Sequence, residues 1–292
     1  QESPVDVKTL VVGDVHGCID ELLDLVEAAG LREGDRLVSL GDIVNKGPAP
    51  EEVFEYLGRR PNTLILMGNH EVHHCQNADD PDAEVTLATR IAKAQFSESG
   101  YRRFIEAAKK FPLYEELPEV LLLHGYFEAG LRPDQQKSDV LVGRDRGRAR
   151  LVERGLWPWY EHYDYPKPVI VGHKGYRSDG EPHIVPGRIY AIDTKCCEGG
   201  SLTGVLLPGF EIVSVPAKRD HWRVMQMAWD GFDPDSGQRF CLPRLRVTAA
   251  TEPFAAVADM APPKPALSGP SAIPRRPWLP FGWAWRFLRG RF

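Results

Sequence analysis

Apolar and polar positions repeat with two different periods over the first seventy residues. Val7 to Val12 is a β-branched run that predicts a strand, and from Ile19 to Ala29 the residues Leu22, Leu23, Leu25 and Val26 give a helix an apolar face. Gly30 follows, a residue favoured just past a helix C-terminus. A strand over Arg36 to Leu40, a helix over Pro50 to Arg59 and a strand over Thr63 to Met67 repeat the unit, with Pro48 and Pro50 marking the helix start. That alternation favours a largely parallel sheet covered by helices. From Glu84 to Lys110 the spacing stays helical with no strand between, which predicts a helical insertion, about 72–112 at its widest, beside the strand ends.

Strands resume at Val120 to Leu123, Val169 to Val171, Arg188 to Ile192, Ser201 to Leu207 and Glu211 to Val215. The last two are separated only by Pro208 Gly209 and its neighbours, which predicts an antiparallel hairpin. These elements place one domain over 1–220, followed by an extension over 221–251. A linker rich in Pro, Ala and Ser spans 252–276, and a tail spans 277–292. The tail and the residues just before it join Arg275, Arg276, Arg286, Arg289 and Arg291 to Trp278, Phe281, Trp283, Trp285, Phe287 and Phe292, with no acidic residue. This composition suits contact with an anionic lipid surface or a protein partner, against the plain alternative of a disordered or locally packed tail. Pro280 and Gly282 weaken any regular helix there.

Composition narrows the classes. A chain of 292 residues with 42% hydrophobic content can bury one large α/β core, and a net charge of −5 shows none of the overall basic excess usual in nucleic-acid-binding proteins, a local basic patch aside. The five cysteines, Cys18, Cys75, Cys196, Cys197 and Cys241, have neither zinc-ribbon nor redox spacing and read as reduced thiols of a cytoplasmic protein. No apolar run is long enough to span a bilayer, and no signal-peptide pattern opens the chain.

Three strings then give the pattern a chemistry. Gly13 Asp14 Val15 His16 Gly17, Gly41 Asp42 Ile43 Val44 Asn45 Lys46 Gly47 and Gly68 Asn69 His70 Glu71 each follow a strand directly. His124 and His173 repeat that context after two later strands. Strand ends are where α/β sheets carry their sites. Carboxylates, imidazoles and an amide oxygen form a mixed N/O donor set suited to manganese, iron or zinc, with enough donors in Asp14, His16, Asp42, Asn69, His124 and His173 for two ions. A bridging carboxylate such as Asp42 would hold two ions about 3.5–4 Å apart and acidify a water between them, a nucleophile suited to phosphorus.

In order and spacing these strings resemble those of the calcineurin-like metallophosphoesterases. Gly47 Pro48, Leu122 Leu123 His124 Gly125 and Val171 Gly172 His173 resemble the phosphoprotein phosphatase branch, which includes bacterial Ser/Thr phosphatases and symmetrical diadenosine tetraphosphate hydrolases. Further likeness lies in Ile192 Asp193 Thr194 and Gly199 Gly200 Ser201 Leu202, so that the resemblance runs from Lys8 to Val215. It implies an α/β four-layer sandwich with a mixed central β-sheet flanked by helices. It also implies Asp14 and His16 on a first metal, Asp42 bridging, and Asn69, His124 and His173 on a second. His70 would be the general acid, oriented by Asn45, with Lys46 and Arg144 on phosphate; Arg146, Arg148 and Arg150 lie close enough to compete with Arg144.

The chain departs from that branch at three positions. Asn45 stands where many protein phosphatases have an Asp paired with the acid histidine, and an amide cannot stabilise an imidazolium by charge. Lys46 replaces an Arg, exchanging a planar fork for a point charge. Lys174 replaces a Thr. These residues point first to a Ser/Thr-type phosphatase or phosphomonoesterase using two ions, with manganese foremost. A symmetrical dinucleoside tetraphosphate hydrolase is the alternative, and a non-catalytic scaffold is the reading from another class. Substrates would be a phosphoprotein or a small phosphoester or nucleotide. His73, His74, His162, His183 and His221 lack the strand-end context and read as surface or packing residues. Trp157 and Trp159 read as packing, with base stacking as the alternative.

Overall fold

The computed structural model describes residues 7–80 and 82–231. The chain opens with β1 (Thr9–Val12), α1 (Ile19–Ala28), β2 (Arg36–Ser39), α2 (Pro50–Arg59) and β3 (Thr63–Ile65), the three strands pairing in parallel. Pro50 occupies the first turn of α2, where its missing N–H costs nothing. Three helices follow, α3 (Asn69–Asp79), α4 (Leu87–Gln95) and α5 (Glu98–Ala108). The first starts at Asn69, so only Gly68 of the third string lies in the loop and the other three residues open the helix.

A second sheet is built from β4 (Tyr114–Glu116) and β5 (Leu121–Leu123), then, past α6 (Ser138–Leu141), α7 (Asp145–Glu153) and α8 (Trp159–His162), from β6 (Val169–Val171), β7 (His183–Val185) and β8 (Ile189–Ala191). Its order is β4-β5-β6-β8-β7, with β5, β6 and β8 parallel and both edge strands antiparallel. The chain then returns to the first sheet through the hairpin of β9 (Ser201–Leu207) and β10 (Glu211–Pro216), giving the order β10-β9-β1-β2-β3, and the last described element is α9 (His221–Trp229). The hairpin turns at Pro208 Gly209 as its sequence predicts.

Alternate residues of each strand serve different layers. Val11 and Val38 of the first sheet and Leu122, Ile170 and Tyr190 of the second share one buried cluster, so the two sheets pack face to face. Leu10, Val12 and Leu37 point the other way, against Leu22 and Leu25 of α1, Val53 and Leu57 of α2 and Phe104 of α5. Leu121, Leu123, Val169 and Val171 do the same on the far side, against Val140, Leu151 and Trp159. The result has four layers, helix, sheet, sheet, helix. This is the four-layer sandwich that the resemblance implies, and among the described residues its central β-structure is made of two sheets, both mixed.

The linker, the basic aromatic tail and Cys241 lie outside the described residues. Among the described residues no helix is long and apolar enough to cross a membrane.

Candidate metal centre and active site

Parallel strands of both sheets end in loops that carry the residues singled out by sequence. Asp14 and His16 follow β1, Asp42, Asn45 and Lys46 follow β2, and Asn69 and His70 follow β3; His124 follows β5 and His173 follows β6. Because the sheets face each other, these ends meet.

Asp42 stands at the middle. Its Oδ2 lies 3.8 Å from His16 Nε2, 3.8 Å from His70 Nε2 and 3.4 Å from His124 Nε2. Two groups of donor atoms close enough to share an ion overlap at Asp42: His16, Asp42 and His70, and Asp42, His124 and His173. Asn69 Oδ1 adjoins the second group, 3.0 Å from His124 Nε2 and 2.9 Å from His173 Nδ1. Asp14 is turned differently, both its oxygens accepting from the His173 backbone N–H at 2.9 and 3.1 Å. In the first group His70 stands where the resemblance placed Asp14.

The surroundings aim these side chains. His16 Nδ1 donates to the Val44 carbonyl at 2.8 Å and His124 Nδ1 to the Leu40 carbonyl at 3.1 Å, which turns each Nε2 toward Asp42. Glu71, buried on α3, accepts from the backbone N–H groups of Asp42 (2.8 Å), Ile43 (3.0 Å) and Gly68 (3.0 Å), so one carboxylate ties the second string to the third. Gly41, at φ +105°, runs so close to the third string that a Cβ would sit 2.6 Å from Gly68 N. His16, Asp42, Asn45, Lys46 and His173 all have positive φ, between 47° and 71°. Left-handed backbone costs a non-glycine residue of the order of 1–3 kcal/mol, and its concentration here marks a site held by its surroundings.

Charge shows what the pocket lacks. Burial, and then Asp193, pushes the Asp14 carboxyl well above the usual carboxylate range. Burial works against a proton on His124, yet Asp42 and Asp14 hold that imidazole up at about 9. The polypeptide thus keeps a proton on a fully buried ring to offset buried carboxylates, which is positive charge that divalent ions would supply. An N/O donor set grouped around one shared carboxylate fits a pair of such ions.

Beside this centre His70 makes two defined contacts. Its backbone N–H donates to Asp42 Oδ1 at 3.0 Å, and its Nδ1 lies 2.5 Å from Asn45 Nδ2. Asn45 Oδ1 lies 2.8 Å from His74 Nε2, and His74 Nδ1 lies 3.0 Å from Tyr101 Oη. The packing role expected of His74 is therefore incomplete: it is fully buried, but it is also the neighbour of Asn45. The i, i+4 spacing from His70 along α3 was the sequence signal for a shared face.

A polar cleft of 290 Å³ opens over the centre, lined by Arg144, Arg146, Asp145 and His73 next to Asn69 and His173. Arg144 is braced by Asp139 at 3.4 Å and Gln76 at 3.2 Å. The competing arginines separate cleanly. Arg150 forks onto buried Glu128 at 2.6 and 3.1 Å, and Arg148 covers the Trp157 ring at 5.1 Å, which leaves Arg144 and Arg146 on the cleft. Lys46 Nζ lies 3.5 Å from Glu198. Trp159 is core, with its indole N–H on Tyr176, whereas half-buried Trp157 abuts Tyr126, whose hydroxyl is 3.1 Å from His173 Nε2. His221 pairs with Glu21 at 2.7 Å and His183 packs on Tyr160, away from the centre.

The calcineurin-like phosphoesterase family pattern matches residues 7–201. The chain belongs to this family. Two curated relatives of this calcineurin-like phosphoesterase act on nucleotides by name. One is the asymmetrical bis(5'-nucleosyl)-tetraphosphatase PrpE of Halalkalibacterium halodurans, 27% identical over 239 residues that cover 72% of this chain and 94% of the relative. The other is a symmetrical bis(5'-nucleosyl)-tetraphosphatase of Legionella pneumophila, 29% identical over 267 residues, covering 70% and 95%. A solved structure of a candidate diadenosine tetraphosphatase has a TM-score of 0.59 at 22% identity, covering 73% of this chain and 95% of that one, a likeness in fold. A calcineurin-like phosphoesterase is a hydrolase of phosphoric ester bonds that depends on two metal ions, and the protein described here is such an enzyme. Bound in the centre, the ions supply Lewis-acid charge to phosphoryl oxygens.

Proposed function

We propose that this calcineurin-like phosphoesterase cleaves the phosphoanhydride chain of dinucleoside polyphosphates, with dinucleoside tetraphosphates as its substrate class. The observation that carries the reading is the amide of Asn45 against His70, where a carboxylate would serve an alkyl phosphoester better. Burial pulls His70 down to about 4, and Asn45 adds no charge to restore its proton. A serine or threonine alkoxide needs that full proton to leave. A phosphate leaving from an anhydride is a far weaker base and needs only a hydrogen bond. The names of the relatives support the same reading.

In this assignment His16 and Asp42, with Asp14, hold one ion, and Asp42, Asn69, His124 and His173 hold the other; manganese is the proposed metal. His70 directs its Nε2–H to the leaving oxygen. Lys46, Arg144 and Arg146 bind phosphoryl oxygens along the cleft. Trp157, at the end of the Tyr126 wall, offers a ring for a base.

The test uses manganese-loaded protein with diadenosine tetraphosphate and with phosphoserine and phosphothreonine peptides, products being separated by anion exchange. A kcat/KM roughly 10²-fold higher on the dinucleotide is expected, and faster turnover of the peptides would overturn the proposal. Two molecules of ADP would show symmetrical attack, ATP plus AMP asymmetrical attack. Trp157→Ala is expected to raise KM for the dinucleotide about 10-fold, the worth of one stacked base, and to leave p-nitrophenyl phosphate unaffected. Arg144→Ala should raise KM by about 10-fold for both substrates in the same steady-state assay, since a charge-assisted bond to phosphate is lost in either case.

A further inference from the structure

We infer that His74 and Tyr101 are positioning residues which fix the amide of Asn45 so that it donates to His70, keeping His70 a proton donor and not a metal ligand. The inference rests on the assignment of His70 as the acid in the preceding section.

The choice exists because His70 is placed for either role. Its Nε2 belongs to a group with His16 and Asp42 whose donor atoms could share an ion, and the His70 and His16 rings are 4.9 Å apart. A neutral imidazole carries one proton. If that proton sits on Nδ1, the Nε2 lone pair faces the centre and His70 becomes a ligand. If it sits on Nε2, the same atom presents an N–H to a leaving oxygen. Whatever meets Nδ1 decides between these tautomers. An Asp at position 45 would only accept, whereas an amide can present either end, so Asn45 alone leaves the choice open.

Hydrogen bonding behind Asn45 closes it. His74 lies in the aromatic pocket of Tyr101 and Phe104, with ring centroids at 5.7 and 5.6 Å, and has no exposed surface. Burial there pulls it down to about 3, so it too is neutral, with one N–H to place. Among the described residues the hydrogen bond of Tyr101 Oη is to His74 Nδ1, at 3.0 Å, and donating into that nitrogen satisfies the phenol proton. His74 Nε2–H then donates to Asn45 Oδ1 at 2.8 Å, and Asn45 Nδ2–H to His70 Nδ1 at 2.5 Å. All donors run one way, from Tyr101 to His70, and the last proton of the series is the one on His70 Nε2, 3.8 Å from Asp42 Oδ2.

The test compares His74→Phe, His74→Gln and Tyr101→Phe on aryl phosphates ranging from 2,4-dinitrophenyl to phenyl. Poor leaving groups depend on the acid and good ones do not. His74→Phe should therefore lose about 30-fold or more in kcat on phenyl phosphate and less than about 3-fold on the dinitrophenyl ester, with KM unchanged. His74→Gln, which keeps a donor, should recover part of the loss, and Tyr101→Phe should show a smaller shift of the same kind. In zinc-loaded protein, ¹⁵N shifts of the His70 ring should report the Nε2–H tautomer in the parent and a gain of Nδ1–H in the variants. Equal loss on every ester, or an unchanged His70 tautomer in the variants, would overturn the inference. Should His74→Phe fail to fold, the near-isosteric Tyr101→Phe carries both measurements. His70→Asn separates the two readings: a loss independent of leaving group in that variant would reject His70 as the acid, while the tautomer measurement still judges the role of His74.

Discussion

An Asp42→Asn variant is expected to lose about 10³-fold or more in kcat and to retain fewer than two ions per chain, while remaining folded. Asp42 is the member shared by both groups of donor atoms, and its Oδ2 is within 4 Å of three imidazole nitrogens. Burial favours the neutral acid at this position, yet His124, His70 and His16 hold the carboxyl well below the usual carboxylate range. An amide of the same shape keeps an acceptor for the His70 N–H and so preserves the packing of the loop. It removes the one negative charge that two cations could share, and several kcal/mol of transition-state stabilisation correspond to a loss of this order. Turnover of p-nitrophenyl phosphate, metal content by mass spectrometry and a thermal melt measure the three parts separately. Activity within 10-fold of the parent, with two ions retained, would show that the ions are not organised around Asp42.

How much of this was legible in the sequence depended on which physical signal each part leaves. The opening βαβαβ unit was readable because its two helices are ten residues long and show their period, its strands lie in apolar runs between them, and Pro50 and Gly30 mark helix ends by backbone chemistry alone. The second sheet was harder. β5 and β6 read Leu121 Leu122 Leu123 and Val169 Ile170 Val171, buried on both faces, so nothing in them says which sheet they join. The edge strands β4 and β7 have three residues each, too few for a pattern, and α6, α7 and α8 are short helices held by the packing of Val140, Leu151 and Trp159. The four-layer arrangement was expected, but which strands share a sheet was not legible, because strand pairing is a long-range property. The candidate ligands were legible for the opposite reason: strand ends next to glycine place them locally. His74 was not. Its helical spacing from His70 is visible in the sequence, but the partner on its other side, Asn45, comes from a loop 29 residues away.

The order of the functional readings changes for a related reason. The strings specify the bond that is broken, and they are shared by enzymes with different substrates, so a protein phosphatase came first. The nucleotide reading gains from one departure inside the second string, the amide at position 45, and from what surrounds the strings, arginines on the cleft and an aromatic wall beyond His173, together with the names of the relatives.

Glu71→Ala is expected to be the most destabilising single change at the site, by about 3–5 kcal/mol, and to remove activity as well. Glu71 is one residue beyond the proposed acid and carries no role in the chemistry. Its carboxylate accepts three backbone N–H groups in a place without solvent access. Alanine leaves all three buried donors unpaired, each worth about 1–3 kcal/mol, with some relief from relaxation of the loop. Set against a total of about 5–15 kcal/mol for a typical domain, such a loss is large. Burial, together with the nearby Asp42, pushes the Glu71 carboxyl up to about 7. Glutamine is therefore a mild change in charge but a real one in hydrogen bonding, because its NH₂ end must face an N–H. Glu71→Gln should accordingly fall between the parent and Glu71→Ala in urea denaturation. Activity should follow the same order, since the loop that Glu71 holds carries Asp42 in a left-handed conformation that no neighbour favours by itself. If Glu71→Ala unfolds at the same urea concentration as the parent, the three bonds do not carry the loop, and the geometry of Asp42 must be set by the metals instead.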